Sequence, residues 1–142
     1  DHAHSGAIMA MTILRDLGME PKEIATVIAA IGNHDEKTGT AVDAVSAALI
    51  LADKTDVRRN RVRYPVLRVN DIHDRVNGAV DDADFYLSRE EKTITLSLRI
   101  DTEQCAVLEY FEIFLERMLL CKRACTFLNV RFSMLVNGTS VL

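Results

Sequence analysis

No stretch of uncharged residues approaches the roughly 20 needed to cross a bilayer. The apolar run AVSAALILA, Ala44–Ala52, is too short for that task, so a membrane protein is not expected. Net positive charge is lacking too. Seventeen Lys and Arg stand against 21 Asp and Glu, a net charge of −4, which disfavours a nucleic-acid binder. Cysteine is scarce and odd in number. Cys105, Cys121 and Cys125 leave one thiol over and form no compact disulfide framework, so a reducing, cytoplasmic setting is expected. There is no Gly-rich phosphate loop, no Ser nucleophile motif, no internal repeat and no low-complexity tract. The sequence opens on Asp1 without Met or an apolar leader, and reads as a piece of something longer.

What is present is an ordinary globular balance, 49% hydrophobic and 27% charged, with enough apolar surface to offset the entropy of ordering the chain. Its texture changes near position 82. Over residues 1–82 the apolar period is helical. A first helix is expected from about Ser5 to Leu17, with Ile8, Met11, Ile13, Leu14 and Leu17 as its stripe and Gly18 as its stop. A second starts at Pro21 and ends near Gly32 and Asn33. A third begins near Thr40, runs through VDAVSAALILADKTD, and reads as a central, buried helix. The basic stretch Arg58–Arg63 and the Tyr64–Pro65 boundary follow, then a short helix near Asp71–Ala79.

Over residues 83–142 the pattern is ββαββ. Ile94, Leu96, Leu98 and Ile100 alternate with polar residues, a half-buried strand whose hairpin partner is Phe85–Leu87. A long helix is expected over about Glu103–Leu128, capped by Asp101 or Thr102, with Leu108, Phe111, Leu115, Met118 and Leu119 buried. A strand at Val130–Val136 and an Asn137–Gly138 turn into 140–142 complete the unit. The expected fold class is therefore α+β, an all-α domain followed by a small ββαββ appendage.

Three polar residues of the helical half carry potential chemistry: His4, His34 and Asp53. Asp53 follows an apolar run, and a lone buried carboxylate there needs a cation, either Lys or Arg or a metal. Two imidazoles and a carboxylate suit a first-row metal better than Mg or Ca. By spacing alone each is more often a surface residue or a satisfied core residue. The strings around them go further. His4-Ser5-Gly6-Ala7, then Ala30-Ile31-Gly32-Asn33-His34-Asp35, then Leu49-Ile50-Leu51-Ala52-Asp53-Lys54 with Arg58 and Arg59 beyond, resemble the later half of the HD-domain phosphohydrolase superfamily over residues 2–63. The flavour is that of bacterial HD hydrolases acting on nucleotides, the dinucleoside tetraphosphatases among them.

The resemblance implies an HD-type helical domain over 1–82 that lacks its N-terminal helices. Asp53 corresponds to the final Asp of the H…HD…D set. His4 and His34 correspond to the extra histidines of the dinuclear branches, so the cofactor implied is Mn, Fe or a similar divalent transition metal, one or two ions. Lys54 and Arg58, four apart, would hold a substrate phosphate. The first His and the HD doublet of that family lie upstream of the matched region. His34–Asp35 and His73–Asp74 spell the doublet in other contexts, and His2 is an auxiliary candidate or an exposed chain end. Cys121 and Cys125, one turn apart, read as core or interface thiols.

Two functions follow as expectations. One is a metal-dependent phosphohydrolase cleaving a phosphoester or phosphoanhydride of a small phosphorylated substrate, such as a nucleotide. The other is a non-catalytic, HD-derived binding or dimerisation module. A homodimer is expected, with the Val130–Val136 strand pairing across a two-fold axis.

Overall fold

The computed structural model describes residues 2–57 and 72–142. The basic stretch Arg58–Arg63 and Tyr64–Pro65 lie outside the described residues. Four helices come first: α1 (His2–Asp16), α2 (Pro21–Gly32), α3 (Ala44–Lys54) and α4 (Ile72–Ala79). Then follow β1 (Val80–Ser88), β2 (Thr93–Ile100), α5 (Val107–Phe127), β3 (Arg131–Val136) and β4 (Thr139–Ser140). None of the described helices is long and apolar enough to cross a membrane.

Local chemistry fixes the boundaries. Gly18 takes φ +78° after α1, and the amides of Gly18 and Met19 return to Arg15 and Leu14, a Schellman closure. Pro21 opens α2, where its missing N–H costs nothing. α3 starts at Ala44, later than the Thr40 expected. The reason is a reciprocal cap: Ser46 N donates to Asp43 Oδ1 at 2.7 Å and Asp43 N donates to Ser46 Oγ at 2.9 Å. α5 also starts late. Asp101 Oδ1 does accept from Glu103 N, but the turn it caps ends at Cys105, which is buried, and the helix resumes at Val107. There Glu109 Oε2 accepts from Ala106 N, and Glu109 Oε1 pairs with Arg75 of α4.

The strands form one sheet in the order β1-β2-β3-β4, antiparallel except for the β2–β3 pair, which α5 connects as a crossover. The register places Ile94 beside Phe132, Leu96 beside Met134 and Leu98 beside Val136, so both strands turn one apolar face to the core. Asn137 and Gly138, at φ +50° and +80°, make the tight β3–β4 turn. β3 therefore has a strand on each side. On the outer side β4 pairs only with Leu135 and Val136, so two-fold strand pairing through Val130–Val136 would have to use the N-terminal half of β3.

One core crosses the position 82 boundary. Ala47, Ile50 and Leu51 of α3 belong to the same buried cluster as Tyr110, Phe114, Met118 and Cys121 of α5 and the sheet residues Leu96 and Met134. That boundary itself falls inside β1.

Three expectations about burial are corrected. α1 buries only Ala3, while Ile8, Met11, Ile13 and Leu17 of its apolar stripe stand exposed, because α1 packs chiefly on α2. α3 buries one side, and Ala44, Val45, Ala48 and Ala52 face outward. On α5 the expected row divides: Met118 is buried and Phe111 packs partly buried against the core, but the leucines do not pack there. Leu108, Leu115 and Leu119 are exposed, and Tyr110, Phe114, Met118, Cys121, Ala124 and Cys125 form the buried side. α5 is apolar on two sides, and contact with α3 and the sheet selects the aromatic and thiol side. Truncation tests this orientation. Phe114→Ala is expected to lower unfolding free energy by about 3–4 kcal/mol, and Leu108→Ala by less than about 1 kcal/mol, in urea titrations of dilute protein. The reverse ranking would mean that α5 is rotated.

Candidate functional site

The described residues carry two polar constellations: a buried charge cluster and a histidine pair. The charge cluster is built by the α2–α3 loop. Asn33 caps α2, donating from Nδ2 to Ala29 O at 2.8 Å. The loop then turns back on itself, with Gly39 N donating to Asp35 O at 2.7 Å. A Cβ at Gly39 would come within 2.3 Å of Asp35 O and 2.4 Å of Asn33 O, so the turn admits only glycine. This compact loop presents Glu36. Its Oε1 lies 3.2 Å from Lys54 Nζ and 2.7 Å from Arg117 Nε. Lys54 Nζ also lies 2.6 Å from Asp53 Oδ2, and Arg117 rests its guanidinium 4.9 Å from the centre of the Phe114 ring.

Two carboxylates thus neutralise two cations drawn from the loop, α3 and α5. Lys54 is 3% exposed and sits in the last turn of α3, where the helix dipole favours a positive charge. Burial by itself would raise the pKa of Glu36. Its own backbone N–H and the charges of Lys54 and Arg117 outweigh that and hold it at about 2.

The structure places the Lys54 ammonium, expected at a substrate phosphate, in a buried position between Asp53 and Glu36, where it serves the packing of α3. α3 ends at Lys54, so the four-residue helical spacing toward Arg58 begins at a helix end; Arg58 itself lies outside the described residues. Asp53 finds its cation in Lys54, one of the two alternatives its sequence context leaves open.

The histidines meet at one end of the α1–α2 pair. His34 Nε2 lies 3.0 Å from Nε2 of His2, not of His4, with the rings edge to face at 76°. His34 Nδ1 lies 2.5 Å from Ile31 O; a carbonyl only accepts, so Nδ1 carries the proton and Nε2 of the neutral ring keeps its lone pair. His4 lines a groove of about 420 Å³ between α1 and α2, with Asn33, Gly32, Ile8, Met11 and Ile28 among its walls. The sequence held a signal for this. α1 and α2 approach closely where Gly6 meets Ile31, and a Cβ on Gly6 would lie 3.4 Å from Ile31 Cγ2. His2 is four residues before Gly6 and shares its face, while His4 lines the groove between α1 and α2.

Two imidazole nitrogens on one first-row metal, each at about 2.0–2.1 Å, sit roughly 3 Å apart. The His2–His34 pair spans a similar distance as an N–H···N hydrogen bond, His2 Nε2 donating to His34 Nε2, so a metal there would displace the His2 proton, while the Ile31 carbonyl supplies the outer hydrogen bond that orients the His34 ring. No group of three or more His, Cys, Asp or Glu among the described residues is placed to hold a metal ion. The donor set therefore fits two positions of a metal shell and does not complete one. The thiols do not add to it: burial pushes Cys121 up to about 12 and Cys125 up to about 11, and both lie in the core.

Comparison of the chain with family models, curated proteins and solved structures gave no match.

The charge cluster makes the fold acid-sensitive. Because Glu36 titrates lower in the folded chain than its usual 4.5, its stabilisation is full above about pH 4.5 and is lost as pH falls toward 2. Glu36→Gln should lower stability at pH 7 by about 2 kcal/mol, less than a fully buried pair loses because Glu36 is 22% exposed, and should flatten the acid limb of the pH–stability curve. An unchanged acid limb in Glu36→Gln would remove Glu36 as its source.

Proposed function

We propose that this chain forms the later part of a metal-dependent phosphohydrolase of the HD type. Its substrate is a small phosphorylated molecule, with nucleotides the foremost class. The observation that carries the reading is the His2–His34 pair, two ring nitrogens 3.0 Å apart with the His34 tautomer set by Ile31 O. The local strings around His34 and Asp53 support it from the sequence side. When bound, a divalent first-row metal supplies Lewis-acid chemistry toward water and a phosphoryl oxygen. The chain's own contribution is positional. Ile31 O orients His34, the Gly6–Ile31 approach brings His2 to it, and the Glu36–Lys54–Arg117 cluster fixes the loop that leaves α2 immediately after His34. Asp53 enters as a ligand only from the resemblance, and its Oδ2 pairs with Lys54.

A second reading, a non-catalytic HD-derived binding module, is favoured by one feature. The described residues place no third ligand beside the pair.

Titration of the chain with Mn(II) or Zn(II), followed by calorimetry, separates the two. His2→Ala and His34→Ala are each expected to weaken binding at least about tenfold, while His4→Ala changes it less than about twofold. Metal-dependent turnover of nucleotides and simple phosphate esters is then expected from any longer protein that contains this chain. Binding indifferent to both His2 and His34, or no binding at all, would remove the metal reading and leave the module; binding lost in His4→Ala would overturn the His2–His34 pair as its source.

A further inference from the structure

The outward side of α5 is a surface without a partner in the described chain. Leu108, Leu115 and Leu119 are 69%, 48% and 37% exposed. At about 100° per residue they share one side of the helix with Glu112, Lys122 and Thr126, all exposed. These six positions run along about 27 Å of helix.

Their order is self-complementary. Laid against its own reverse, the row sets Leu115 opposite Leu119, Glu112 opposite Lys122 and Leu108 opposite Thr126. Glu116 and Arg123, on the flank, extend the same polarity, acid toward the N-terminal half and base toward the C-terminal half. Among the described residues, no ion pair or hydrogen bond engages the side chains of these four charged residues. A parallel pairing would set Glu112 against Glu112, which repels.

We propose that α5 is the contact between two copies of this chain, packed antiparallel across a two-fold axis at the level of position 117. A two-fold contact uses one patch twice, so each Glu112–Lys122 and Leu115–Leu119 pair occurs twice. An unrelated partner helix would need only to complement α5 and would impose no internal symmetry on it. The sheet offers no equal site. On its outer side β3 is covered by the short β4 only at its C-terminal end, and the edge strand β1 carries Asp81, Asp82 and Asp84, charges that oppose strand addition. One helix pair buries less than the roughly 800 Å² per partner of a standard interface, so the dimer is weak and exchanges rapidly with monomer. This inference is independent of the metal reading.

Sedimentation velocity over a concentration series at low ionic strength tests it on the chain itself. The wild type is expected to show a monomer–dimer equilibrium. Glu112→Lys and Lys122→Glu should each weaken it about tenfold, and Leu115→Asp should abolish it, with circular dichroism unchanged because all three sites are exposed. The double variant Glu112→Lys/Lys122→Glu should recover dimerisation to within about threefold of wild type. The acid-to-base polarity also suits the α5 dipole, but a dipole role alone predicts no recovery in the double variant. A wild type monomeric at every accessible concentration, a dimer indifferent to Leu115→Asp, or a double swap without recovery overturns the proposal.

Discussion

A lysine ammonium only 3% exposed must be neutralised where it sits, and in this chain that requirement joins three separate segments. Lys54 ends α3, Glu36 comes from the loop before it, and Arg117 arrives from α5, more than sixty residues later in the chain. Asp53 completes the charge balance. Around these four, Ile50 and Leu51 meet Tyr110, Phe114 and Cys121, so the polar cluster sits against the apolar contact that holds the helical half to the α/β half. Removing one member leaves a buried charge uncompensated, a loss larger than the net gain from forming the pair. The cluster therefore acts as a specifier of how α3 and α5 fit, with the hydrophobic core supplying most of the drive.

The same cluster bears on the histidines. His34 lies two residues before Glu36, in a loop closed by the Gly39 turn and anchored at Lys54 and Arg117. A ring at the end of a free loop would sample many orientations. Here the Ile31 carbonyl fixes it from the helix side and Glu36 holds the chain just beyond it. In the proposed metal-binding reading, this arrangement would reduce the ordering cost of ligation.

Much of the secondary structure was legible in the sequence because it is encoded locally. Gly18 and Pro21 bound the helices they flank, the alternation at 93–100 corresponds to β2, and Asn137–Gly138 makes the hairpin turn. The starts of α3 and α5 were less legible, because they depend on which of several polar residues caps. The α5 face was misjudged for another reason. Leucines at 108, 115 and 119 and the row Tyr110, Phe114, Met118 and Cys121 are both apolar at helical spacing, and only packing against α3 decides between them.

The candidate site divides along the same line. The sequence by itself determined that α1 carries His2 and His4, that His34 follows the end of α2, and that α3 carries Asp53 and Lys54, because residue type and helical period are properties of the string. Tertiary structure alone decided that His2, not His4, meets His34, because the choice turns on the helix phase set by the Gly6–Ile31 approach. It alone decided that Asp53 and Glu36 enclose Lys54, because an ion pair's partners are fixed by where folded segments meet and by how much water is excluded there.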